Sequence, residues 1–131
     1  MDENIDNLFD EKNIPEGGSW FKFEKVGDKI GGVLVDTFDK PGQDDFPDQR
    51  VYVIRTKDGD EINVGIKKES QRFVINRLKN ARPGDLVGFE FEKEIPPAKK
   101  GHNPAKSIRP FLQKTPAGDQ VRKDEEDFSG M

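Results

Sequence analysis

RVYVIRTKDGDEINVGIKKESQRFVINRLKNARPGDLVGFEFEK, residues 50 to 93, is the stretch on which the fold turns. Arg50 to Thr56 is β-branched and aromatic, Lys57-Asp58-Gly59-Asp60 breaks it, and Glu61 to Ile66 resumes with Ile62, Val64 and Ile66 on one side. Two alternating runs joined at an Asp-Gly pair form a hairpin. From Lys68 to Asn80 the period changes. Gln71, Val74, Ile75 and Leu78 share a helical face, with Lys68, Glu69, Arg72 and Lys79 turned away from it. Arg82-Pro83-Gly84-Asp85 stops the helix, and Leu86 to Lys93 then alternates Val87, Phe89 and Phe91 with Gly88, Glu90 and Glu92.

Upstream, Trp20, Phe21 and Phe23 lead through Val26-Gly27-Asp28 into Ile30 to Asp36, a long strand whose Gly31 and Gly32 suit sharp coiling or a bulge. Residues 37 to 49, with Pro41, Gly42 and Pro47, are expected to form a loop. Downstream, Ile95 to Lys106 is a basic loop interrupted by prolines and a glycine, and Ser107 to Gln113 is a last strand in which Pro110 implies an edge position or a break in the ladder. Three strands, a helix and two strands predict an all-β domain with one helix: a five-stranded Greek-key OB-fold barrel with flexible acidic arms. The expected division is an acidic arm over 1–18, the OB domain over 19–113 and a disordered acidic tail over 114–131.

Charge follows the same division. The first 18 residues hold six acids against Lys12, and 114–131 hold five acids against Lys114, Arg122 and Lys123. The formal charge of −4 therefore conceals a central domain of +3, the part that would meet a phosphate backbone. No run approaches the roughly 20 apolar residues of a membrane span, so no membrane partner is expected. The acidic N-terminus does not read as a secretory or transit peptide, and the absence of cysteine suits a reducing compartment.

The inventory argues against an enzyme. Without cysteine, thiolate nucleophiles and zinc ribbons are excluded, and the single histidine, His102, sits in a Gly-His-Asn-Pro loop. Asp39, Asp44, Asp45 and Asp48 do not follow the spacing of a calcium loop and read as a solvated acidic segment. No cofactor, metal or phosphate-loop motif is expected.

Single-strand binding needs cations for phosphates and rings for bases. Arg50, Arg55, Lys99, Lys100, Lys106 and Arg109 are the phosphate candidates, the lysines lying in or beside the basic loop. Trp20, Phe38, Tyr52 and Phe111 are the stacking candidates; Phe23, Phe73, Phe89 and Phe91 are assigned to the core. In the second strand Val51 and Val53 are expected inward and Tyr52 outward, a choice that a one-residue slip would invert. Asp124, Glu125, Glu126, Asp127 and Phe128 form an acidic run with an apolar anchor, suited to docking partners or to competing for the domain's own cations.

With the strand order, the Arg82-Pro83-Gly84-Asp85-Leu86-Val87 turn, the basic loop and Asp124 to Phe128 in view, residues 19 to 131 resemble OB-fold single-stranded DNA-binding proteins, in their short phage-like form with an acidic tail. The chain departs from the bacterial pattern in ending Phe128-Ser129-Gly130-Met131 rather than in Pro-Phe. The resemblance implies non-sequence-specific protection of single-stranded DNA in replication, recombination or repair, with proteins recruited through the tail, in the cytoplasm of a bacterial cell or phage-infected host. The rival reading is an OB protein-interaction module using Trp20, Phe21 and Phe38 as a patch. RNA in place of DNA, and homo-oligomerisation through Ile5, Leu8 and Phe9, stay open.

Overall fold

The computed structural model describes residues 19–43, 47–97, 101 and 105–129. Its strands are β1 (Ser19–Trp20), β2 (Lys29–Lys40), β3 (Gln49–Arg55), β4 (Glu61–Lys67), β5 (Leu86–Ile95) and β6 (Ala105–Gln113), and its helices α1 (Arg72–Arg77) and α2 (Pro116–Ser129). They build one mixed six-stranded sheet in the order β1-β4-β3-β2-β5-β6, antiparallel except where β1 joins β4.

The long strand β2 organises the sheet. Its first half pairs with β5 and its second with β3, and a bulge at Val35 shifts the register between Leu34 and Asp36. At Gly32 a Cβ would run into the Arg55 carbonyl, so only glycine lets β2 pass so close to the end of β3. The strand also runs on to Lys40 through residues expected in a loop, which places Phe38 on the sheet opposite Val51.

The expected barrel does not close. β4 and β6, the strands that closure would join, are not paired with each other, and the sheet has six strands rather than five. The residues entering the sheet supply the reason. Ser19 and Trp20 take up the edge of β4, the Phe21 amide donates to the Asn63 carbonyl at 2.9 Å, and the Lys106 ammonium donates to the Phe23 carbonyl from β6. The aromatic segment 20–24 therefore lines, together with residues of both edges, the space that separates them.

One face carries the core: Leu34, Tyr52, Ile54, Val64, Ile66, Val87, Phe89, Phe91 and Ile108 from the strands, Phe23 from the entering segment, and Val74 and Leu78 from α1 and the turn after it. Each such side chain contributes about 1.5–3 kcal/mol by leaving water. Tyr52 is the correction in this list. It is 2% exposed, in register with Val64, its ring 5.3 Å from that of Phe89, and so it is no stacking platform. Both sides of β3 are apolar, and the pairing of Tyr52 with Thr37 and Val64 decided which faces the helix. Helix α1 is shorter than the 68–80 span expected for it, and Phe73 lies outside the core, 56% exposed with the Arg77 guanidinium 5.0 Å from its ring.

The C-terminal segment, expected to be disordered, is helix α2 from Pro116 to Ser129. A polar lock holds it. The Asp85 carboxylate, 0% exposed, accepts from the amides of Arg82 (2.9 Å) and Thr115 (3.0 Å) and from both terminal nitrogens of Arg122 (2.5 and 3.1 Å). Arg122 also donates to the Asn80 carbonyl and to Asp119, and Arg82 donates to Glu125 at 2.8 Å. Close approach is enforced on both sides: a Cβ at Gly118 would overlap the Asp85 carboxylate, and one at Gly84, whose φ is +100°, would come within 2.7 Å of Ala117 Cβ.

Candidate functional site

Residues in register share a face, so the pairings define what stands opposite the core. One row reads Lys40, Gln49, Lys67 across β2, β3 and β4; the next Phe38, Val51, Gly65; the third Asp36, Val53, Asn63 and then Trp20 on β1. The Trp20 indole leans across Gly65, its ring edge 3.4 Å from where a Cβ would sit, and the Lys40 ammonium lies 4.8 Å from the indole centroid. Val51, between the Phe38 and Trp20 positions, is fully buried, whereas Phe38 stays 43% exposed. The result is a small aromatic platform on the solvent side of the sheet, with a cation on one ring. Cation and ring attract by roughly 0.5–1 kcal/mol at such exposed sites.

The six expected phosphate contacts are not gathered here. Arg50 is 2.5 Å from Asp39, which also holds Lys68 at 2.9 Å; Lys68 and then Arg50 lower the Asp39 pKa. Arg55 faces Glu61 at 3.9 Å, Arg109 pairs with Glu92, and Lys106 is turned to the Phe23 carbonyl, 5.6 Å from the Phe91 ring. Lys99 and Lys100, with His102, lie outside the described residues. Three lysines that the sequence reading passed over, Lys22, Lys40 and Lys67, have no carboxylate partner among the described residues, and all stand around Trp20. The signal was available for Lys67, which alternation along β4 puts on the face of Gly65; Lys40 fell in the segment expected to form a loop.

Of the stacking candidates, Trp20 and Phe38 share this platform and Tyr52 is in the core. Phe111 is 48% exposed on the same side of the sheet but over Gly88, which pairs with Gly31. Seven residue steps along β2 separate Gly31 from Phe38, roughly 20 Å of strand. The acidic run lies in α2, away from the platform. Asp124 accepts from Gln120, Glu125 holds Arg82 and Glu126 is exposed, while the Asp127 and Phe128 side chains lie outside the described set. Among the described residues there is no group of three or more metal-ligating side chains, and no helix long and apolar enough to cross a membrane.

A groove of about 780 Å³ opens beside the platform, along the seam between β4 and β6. Trp20, Gln49, Gly65 and Lys67 border both. No protein-family model, curated protein or solved structure matches the chain.

Proposed function

We propose that this chain binds single-stranded DNA without sequence specificity, along the face of β1, β4, β3 and β2 opposite the core. The observation that carries the reading is the Lys40 ammonium resting on Trp20, in the same exposed platform as Phe38. Phe38 offers an exposed stacking surface to any base and Trp20 a half-buried one beneath Lys40, while Lys40 and Lys67, in the neighbouring row, supply charge for the phosphates between them. We read the sheet as an opened OB Greek key: β2 to β6 follow the expected connectivity, and only the β4 to β6 pairing is missing. Acids on the outer side of α2 would present a docked, rather than trailing, surface to basic partner proteins.

Anisotropy of a labelled single strand of roughly 30 nucleotides, longer than the 4–16 that one such module covers, tests the reading. Tight binding that weakens with salt and resists duplex competitor supports it. No binding at low salt refutes it. That outcome favours the protein-interaction reading, for which the exposed pair Val33 and Leu86, in register beside Phe111, supplies an apolar patch.

A further inference from the structure

The seam groove has an unusual lining for a gap between two strand edges. Ile66 of β4 and Ile108 of β6, both buried, line it, as do Trp20 from the platform side and Phe21, half-buried against the core. Phe21 is fixed there by an edge-on contact with the buried Phe23, ring centroids 4.8 Å apart. At the far side the Gln71 amide donates to the Lys106 carbonyl at 2.5 Å, tying the start of α1 to β6. Three lysines line the space, Lys22, Lys67 and Lys106, against one carboxylate, Glu24. Lys106 is committed to the Phe23 carbonyl, whereas Lys22 and Lys67 are exposed and have no carboxylate partner among the described residues.

We propose that this groove takes one nucleotide of the bound strand, its base against Phe21 and Trp20 and its phosphate between Lys22 and Lys67. The inference rests on the single-strand reading and extends it around the β4 edge. Continuity is its main support. Lys67, Gln49 and Gly65 belong to the platform rows and to the groove at once, so a strand lying on Phe38 and Trp20 can turn into the seam without leaving its cations. The volume falls within the roughly 300–1,000 Å³ of sites that enclose small organic ligands. An acidic peptide would use the lysines but leave flat ring faces without a planar partner, whereas a nucleotide uses both.

Trp20 is the single tryptophan, so its emission reports on the groove and on the platform it borders, and the two lysines tell them apart. The test titrates the full chain with dTMP, with inorganic phosphate and with a glutamate-rich peptide, and follows strand binding in parallel. The variants are Lys22→Ala/Lys67→Ala and Phe38→Ala. Saturable quenching by dTMP is expected, weakened at least tenfold in the double-lysine variant. Strand affinity should fall about tenfold in the double-lysine variant, and its salt slope by about 1.4, two single-strand phosphate contacts. Quenching by phosphate at the same concentrations, or by the peptide and not by dTMP, overturns the proposal, as does a dTMP curve indifferent to the two lysines. Strand binding that is lost in Phe38→Ala but untouched in the double-lysine variant overturns the groove and leaves the platform. Binding of dTMP without any strand binding does the reverse.

Discussion

Replacing Arg122 with alanine leaves the Asp85 carboxylate buried with only its two backbone donors. Burial by itself would raise the Asp85 pKa, but Arg122, Arg82 and Thr115 outweigh it and bring the group from its ordinary 3.8 down to about 2. A carboxyl lowered on folding stabilises the protein above its unfolded pKa, and that stability is lost as pH falls through the folded value. The difference of about 1.8 pH units is worth about 2.5 kcal/mol, present at neutral pH and lost between about pH 4 and about pH 2. Breaking a buried ion pair from one side costs about 3–5 kcal/mol. Arg122 is 20% exposed, so water relieves part of that, and about 3 kcal/mol is expected. With a urea dependence of about 1–3 kcal/mol per molar, the unfolding midpoint should drop by roughly 1.5 M at neutral pH. Urea titrations of both proteins at neutral pH and near pH 2 would show the gap shrinking in acid, as Asp85 is protonated. A loss under about 1 kcal/mol at neutral pH, or an undiminished gap in acid, would refute the view that this pair holds the helix.

Gly118→Ala drives a Cβ into the Asp85 carboxylate and should cost about 2 kcal/mol or more, read as a lower melting temperature; an unchanged melt would mean that α2 is not seated on the turn. Tyr52→Ala should destabilise by about 3–5 kcal/mol, as a truncated core ring does, while leaving strand affinity per folded molecule alone. Phe38→Ala should do the opposite, with an unchanged melt and single-strand binding weaker by about 1–3 kcal/mol in anisotropy. Lys40→Ala should lower the salt slope of that binding by about 0.7, the share of one single-strand phosphate contact, and an unchanged slope would remove Lys40 from the phosphate path.

The hairpin of β3 and β4 was legible because alternation and an Asp-Gly turn agree, and β5 because Val87, Phe89 and Phe91 keep period two. Which side of β3 faces inward was not legible. Val51 and Val53 are as apolar as Tyr52 and Ile54, and the choice depends on partners remote in sequence, Thr37 beyond the Val35 bulge and Phe89 on β5. Helix α2 escaped for a different reason. Only Val121 and Phe128 interrupt its polar run after Ala117, so no apolar stripe announces a docked helix. Its anchor is an arginine meeting a carboxylate 37 positions away. The cations show the same limit. Composition marked Arg50, Arg55 and Arg109 as available, but pairing set Asp39 and Glu61 directly opposite the first two, and Glu92 reaches the third.

The two residues of β1 have one more consequence, for what the sheet does to its neighbours. An uncovered strand edge is a template for other chains, and β4, with Ile62, Val64 and Ile66, has the composition of a segment that stacks intermolecularly. Ser19 and Trp20 occupy the start of that edge, and on the opposite border Pro110 removes a donor from β6. Both margins of the sheet are thus blunted by the chain itself, and unseating the Trp20 segment would convert a finite sheet into one able to grow by addition of further copies.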